Sequence, residues 1–330
     1  NFAPIVKMTP IRIVIAATTA KDWHLHQMDV KNAFLQDELE EKVFMIQSPN
    51  FESTTTFDRS LLTQEALLRT QASTTWLALE DHLESSPNRL LYVEIGQSLY
   101  IKTELDNTIV IILYVVDLVI GGKNLTDINK VISLLSNRFE IKDMYELYYF
   151  LDIEVIWTLV RIMISQWHYI LNLLYNFGKT ECKPVTTPFD RNLNLDANSG
   201  TEESESSQYP QLIGSLIYLT ITRPDLSYPI GLLSQFMQKP QDIHVDCAKR
   251  VLKYVRGTMD YGTLYKLYTI VRLERYTVAD WASYKVDRWS TSGFTFSLRS
   301  GAISWSSKKQ SIVALSNIWA RLSPHVKLFG

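Results

Sequence analysis

Two carboxylates stand where a carboxylate needs a reason. Asp117 interrupts ILYVVDLVIGG, an otherwise apolar strand pattern, and burying a carboxylate is costly unless it is paired or bound to a metal. The same position also suits a hairpin turn, where Asp is a favoured residue. Asp29, in HQMDVKNAFL, closes a strand pattern five residues before Phe34; taken alone, an Asp before a helix is far more often a cap. His24 and His26 alternate along the same strand pattern, as a metal pair or, more simply, as exposed strand histidines. Trp281, Trp289 and Trp305 could stack on bases or fill a core. Arg161, Lys249, Arg250, Lys253 and Arg256 could meet phosphates or solvate a helix face.

Composition bounds these options. The chain has 330 residues, about twice a usual domain, so two packed units are expected. With 46% hydrophobic and 12% aromatic residues it can bury a sizeable core, which excludes wholesale disorder. A net charge of −2 argues against a dedicated basic platform, though not against a local basic groove. Two cysteines, Cys182 and Cys247, are too few for a disulfide scaffold or a four-ligand zinc site, and both read as small buried hydrophobes. No basic start with an apolar run marks a signal peptide, and the apolar stretch from Thr108 to Ile120 is too short to cross a bilayer. No membrane partner and an intracellular location are expected. The chain opens without Met and closes at KLFG, so both ends read as cuts.

The elements that must position the two aspartates follow from periodicity. Thr9 and Pro10 predict the start of a helix over IRIVIAATTA. Asn107–Ile120 predicts a buried strand or hairpin. In LTDINKVISLLSNRF, Thr126 can cap a helix whose inner face is Ile128, Val131, Ile132 and Leu135. ELYYFLDIEVIWTLVRIMISQ reads as strand, turn, strand, and SQWHYILNLLYNFG as a helix ending at Gly178. Residues 183–208, poor in large apolar side chains and containing the acidic run TEESES, read as a linker. Two helical stretches follow, the second ending at Gly257, then a strand-rich part with a hairpin signal in TFSLRSGAISW, then a helix over SIVALSNIWARL.

Taken in order, DVKNAFL, a QAS segment followed by Trp76, YVVD and FEIKDMYELYYFLDIEV resemble the polymerase part of copia-type LTR-retrotransposon Pol polyproteins. The likeness continues through SQWHYILNLLYNFGKTECKPVTTP, GSLIYLTITRPDLSYPIGLLSQFM and RVLKYVRGT into ADWAS and DRWSTSGFTFSLRSGAISWSSKKQ, and so covers nearly the whole chain. It implies an α+β fold: a reverse-transcriptase palm and partial fingers over 1–182, the linker 183–208, a helical connection over 209–262 and an incomplete RNase H-like α/β unit over 263–330. It implies two-metal nucleotidyl transfer, with Mg²⁺ held by Asp29 and Asp117, on an RNA template, a DNA primer and a dNTP. Phe34 matches the aromatic beneath the incoming sugar, and Gln71 and Trp76 the segment beside the incoming nucleotide.

The sequence also departs from that pattern. Where the family has two adjacent aspartates, this chain has Val116 and Asp117, and Val cannot coordinate Mg²⁺. The basic, glycine-containing loop before the Gln71 segment reads LLRTQ, and Tyr145 and Asp152 occupy glycine positions. Asp152 suits a turn with positive φ; Tyr145 does not. Val278 replaces the first RNase H acid, Asp280 survives in a supporting role, and Trp319–Arg321 offers no carboxylate where a Glu should fall. The half-built RNase H sheet should leave an unpaired edge. The expected function is therefore a reverse transcriptase fragment without activity. The alternatives are weak polymerisation through Asp29 and Asp117, or a non-catalytic nucleic-acid-binding or assembly remnant.

Overall fold

The computed structural model describes residues 8–30, 91–92, 99–104, 107–114, 117–137, 140–190, 193, 195, 208–267, 270–280 and 290–310. Phe34, Gln71, Trp76, Val116, Trp281, Trp289, the acidic run and the helix expected over SIVALSNIWARL lie outside them. The chain forms two compact units, Asn1–Val14 with Asp22–Leu147 and Ile15–Lys21 with Tyr148–Gly330. Both combine helices with antiparallel strands, which makes the fold α+β.

Helix α1 (Met8–Lys21) buries Ile11, Val14, Ile15, Ala16 and Ala20 together with Thr18 and Thr19. Both threonine hydroxyls donate back to the Ile15 carbonyl, at 3.1 and 2.5 Å, so burial leaves neither unsatisfied. The helix starts at Met8, so Thr9 lies inside it rather than at its cap.

In the first unit, strands β1 (His24–Val30), β2 (Leu91–Tyr92), β3 (Leu99–Glu104), β4 (Asn107–Tyr114), β5 (Asp117–Gly122) and β6 (Ile141–Glu146) form one sheet in the order β2-β3-β4-β5-β1-β6. The run Ile109–Leu113 is buried at every position, so β4 is covered on both faces, as an unbroken apolar strand demands. On one face Met28, Ile109, Ile111, Leu113, Leu118 and Ile120 meet helix α2 (Leu125–Ser136). Ile128 and Leu135 are its buried anchors, with Val131 and Ile132 beside them, the stripe read from the sequence. The cap was misread. Asn124, not Thr126, occupies the N-cap position and makes no side-chain cap. Asp127 instead accepts from Asn107 (2.6 Å) and Lys130 (2.8 Å) in the first turn.

In the second unit, β7 (Tyr149–Phe150), β8 (Ile153–Thr158), β9 (Arg161–Ser165) and β10 (Thr263–Lys266) form an antiparallel sheet in the order β10-β9-β8-β7. Helices α3 (Trp167–Asn176), α4 (Tyr209–Leu219), α5 (Ser227–Leu233) and α6 (Asp242–Gly257) share a core around Ile170, Leu174, Ile213, Leu216, Val251 and Leu252. Gly178, just past α3, has φ +60°, the left-handed terminator that the sequence predicts. Strands β11 (Leu273–Asp280), β12 (Thr291–Leu298) and β13 (Gly301–Lys309) form a third sheet with the expected β12–β13 hairpin. Among the described residues β11 pairs with β12 alone.

The described start of the linker, 183–190, lies along α6. The Val185 N–H donates to the Lys253 carbonyl at 3.4 Å and Arg250 donates to the Thr187 hydroxyl at 2.9 Å, while just before the segment Arg256 Nε donates to the Thr180 carbonyl at 2.6 Å. Two arginines weighed as phosphate contacts thus hold the chain's own backbone and side chains. Cys247 is buried as expected, but Cys182 is only half-buried.

Candidate functional site

The hairpin β4–β5 and the neighbouring β1 determine where the two aspartates go. Antiparallel pairing sets Asp29 directly opposite Asp117, which places the two Cβ atoms about 4.5–5.5 Å apart on one face. The row extends in both directions, Tyr114 lying opposite Asp117 and Lys142 of β6 opposite Asp29. One face therefore carries Tyr114, Asp117, Asp29 and Lys142 in a line across four strands. Both aspartates are half-buried and Lys142 is exposed. The other face belongs to the core with α2.

Gln27, two residues before Asp29 and so on the same face, is buried and donates from Nε2 to Asp117 Oδ1 at 3.2 Å. Burial raises the Asp117 pKa above the ordinary carboxylate value, the Gln27 hydrogen bond opposes that rise, and the negative charge of Asp29 adds to it. Two mutually repelling carboxylates on one row attract a hard cation. The arrangement fits one Mg²⁺, which commonly takes one or two carboxylates and completes its shell with water and phosphate oxygens. Among the described residues no group of three or more metal-ligating side chains exists, and residue 116, where the sequence pattern calls for the third, lies outside them.

The remaining candidates fare differently. His24 is exposed and His26 half-buried, both on the core-side face of β1. Asp280 ends β11 opposite Thr291, and Val278 is 68% exposed on that strand. Trp305 donates Nε1–H to the Thr220 carbonyl at 3.0 Å, which favours the core reading. Tyr145 has φ +64° and is 72% exposed, so a β-carbon occupies the conformation that the glycine pattern requires. Leu151 and Asp152, with φ of 51° and 53°, form the two-residue turn between β7 and β8.

Two features escaped the sequence reading. Lys142 joins the aspartate row and Gln27 reaches it from the same face; period-two spacing from Asp29 could have revealed Gln27, but only strand pairing reveals Lys142. In the second unit, Arg223 is 1% exposed and bonds Asp225 with both prongs of its fork, at 2.9 and 2.7 Å. It also donates to the carbonyl and hydroxyl of Thr258, each at 2.8 Å, beneath the rings of Tyr254 and Tyr261. A charged pair inside the apolar run LIYLTITRPDLSYPIGLL was the signal for it. The second unit also has an open groove of about 710 Å³ lined by Tyr148, Tyr149, Trp157 and the pair Glu154–His168 (2.7 Å).

The two aspartates thus sit on an antiparallel sheet of an α+β unit. The chain belongs to the reverse transcriptase (RNA-dependent DNA polymerase) family, whose model matches residues 1–191, and its relatives are copia-type Pol polyproteins. It is 37% identical over 326 residues to the retrovirus-related Pol polyprotein from transposon RE1 of Arabidopsis thaliana, covering 96% of this chain and 22% of that protein. It is 32% identical over 325 residues to the corresponding polyprotein from transposon TNT 1-94 of Nicotiana tabacum, covering 96% and 24%. An uncharacterized mitochondrial protein of Arabidopsis thaliana is 35% identical over 207 residues, covering 63% of this chain and 86% of that protein. The chain thus spans between a fifth and a quarter of the length of the polyproteins it matches.

Proposed function

We propose that this chain is the palm-bearing part of a copia-type reverse transcriptase, joined to a remnant of RNase H, and that it no longer performs nucleotidyl transfer. The observation that carries this is the register that sets Asp29 opposite Asp117. Bound there, Mg²⁺ would lower the pKa of a primer 3′-hydroxyl and offset charge developing on the α-phosphate of a dNTP. Asp29 and Asp117 would hold it through one oxygen or more each. Lys142, opposite Asp29, brings a positive charge to the same end of the row, where triphosphate oxygens would lie. The Val116 side chain supplies no oxygen to the set, and two carboxylates do not hold the pair of ions that in-line displacement needs. Val278 and the absence of a carboxylate over Trp319–Arg321 support the same reading for the RNase H part, with Asp280 as its surviving acid.

Primer extension on an RNA template tests this, with Mg²⁺ and with Mn²⁺, comparing the chain with Val116→Asp. No extension by the chain and measurable extension by Val116→Asp is the expected result. Equal extension by both overturns it and establishes weak polymerisation through two carboxylates.

A second reading is favoured by the aromatic groove. Tyr148, Tyr149 and Trp157 could stack on the bases of a single strand in a non-catalytic binding remnant. It requires affinity for an RNA–DNA hybrid or single strand that falls linearly in log salt, and is excluded if none binds at low salt.

A further inference from the structure

We propose that Gln27 is a positioning residue for Asp117: it fixes one carboxylate oxygen by a neutral hydrogen bond and leaves the other aimed at the cation shared with Asp29. This rests on the function proposed above and assigns a role to a side chain outside the carboxylate set. Gln27 lies opposite Val119 in the β1–β5 ladder, so its amide reaches diagonally across the sheet to Asp117, the partner of Asp29. Such diagonal neighbours lie about 7–8 Å apart at the backbone, within reach of a side chain of this length. At 9% exposed, Gln27 is held by its surroundings, and its Nε2 donates to Asp117 Oδ1 at 3.2 Å. A carboxylate half out of the core otherwise turns about its last torsion, and a ligand must be oriented closely to bind metal well.

The donor's neutrality is the telling part. A Lys or Arg in its place would cancel the charge that draws the cation, and an acid would add repulsion to the pair. An amide orients without doing either. Outer partners of this kind typically change metal affinity by 10–100-fold when removed.

The test is Mn²⁺ titration of the full chain, followed by the EPR signal of free Mn²⁺, for the parent, Gln27→Met and Asp117→Asn. Each is also measured in the Val116→Asp background, and thermal melts are run in parallel. Gln27→Met, close in shape and without the donor, is expected to weaken Mn²⁺ binding about tenfold or more with an unchanged melt. If Asp117→Asn weakens binding and Gln27→Met does not, the positioning role is wrong and the carboxylate site stands. If Asp117→Asn leaves binding untouched, the site itself is wrong, and the inference falls with it. Should Gln27→Met fail to fold, the unaltered chain decides. The Gln27 side-chain amide resonances, assigned by selective labelling, are expected to shift on adding Mg²⁺, and their indifference to Mg²⁺ overturns the proposal.

Discussion

Replacing Arg223 by Met should cost the second unit about 3–4 kcal/mol, because three separate losses fall on one site. The Thr258 carbonyl loses one of two donors and keeps the Tyr261 N–H at 3.1 Å, a loss of roughly 0.5–1.5 kcal/mol. Asp225 loses both prongs of a bidentate pair (2.9 and 2.7 Å). Its side chain is 34% exposed and still accepts from the Tyr254 hydroxyl at 3.0 Å, so water and that hydroxyl offset part of the loss. The total therefore falls toward the lower end of the ~3–5 kcal/mol seen when a fully buried pair is broken. Two cation–π contacts add roughly 0.5–1 kcal/mol each, against which Met recovers apolar burial. Urea unfolding of the full chain, followed by tryptophan fluorescence, is the assay. At a slope of about 2 kcal/mol per molar, the midpoint should drop by roughly 1.5 M with the slope unchanged. Arg223→Lys keeps the charge without the fork and should fall between the two. Arg223→Met combined with Asp225→Leu should be less damaging than the sum of the single changes, since neither partner is left stranded. A midpoint within about 0.3 M of the parent, or strictly additive losses, would refute the reasoning.

Three other changes test neighbouring conclusions. Tyr145→Gly should stabilise the first unit by roughly 0.5–1 kcal/mol: release of a left-handed β-carbon at φ +64° exceeds the entropy that glycine adds to the unfolded chain; a lower urea midpoint would count against it. Gly301→Ala should destabilise by about 1–3 kcal/mol, because a β-carbon there collides with the Leu264 carbonyl and the Tyr265 ring; a melt unchanged from the parent would show that β10 and β13 can part to admit it. Asp117→Asn should stabilise the first unit at neutral pH. The folded pKa of Asp117 is raised, so its ionisation penalty is absent below the unfolded value near 3.8 and grows as pH rises through the folded value. The advantage of Asn should therefore shrink as the solution is acidified toward that value, and an advantage independent of pH would sink the argument.

The fold was readable where one physical signal dominated. The unbroken run Ile109–Leu113, dense in Val and Ile, read as a buried strand or hairpin, and Ile128 with Leu135 fell at the spacing of a helix stripe. Element ends were less readable because they rest on single hydrogen bonds. Thr126 has the right chemistry for a cap, but Asn124 takes the position and Asp127 satisfies its neighbours instead. Residues 183–208 read as a linker because they hold few large apolar groups. What holds their start is a few contacts, the Arg250 bond to Thr187, a backbone bond to Lys253, and Val185 and Phe189 packed on the helical core, too few for composition to register.

The site was readable in proportion to how far its residues violate local expectation. Asp117 is conspicuous because an apolar strand pair should not contain it. Asp29 becomes informative only through order, since nothing local separates it from a helix cap. Gln27 and Lys142 violate nothing: a strand tolerates both, and only pairing brings Lys142 across from Asp29. Arg223 and Asp225 could have been found by the rule that found Asp117, as charges in an apolar run, yet their burden is structural, with Asp225 and Thr258 of the second unit taking the hydrogen bonds of Arg223. The same rule thus selects two kinds of residue, and hydrogen bonding tells them apart. Arg223 directs four hydrogen bonds to partners that answer its charge, as a support must. Asp117 faces the negative charge of Asp29 and, among the described residues, accepts from the neutral Gln27 amide, the arrangement on which the proposed cation site rests.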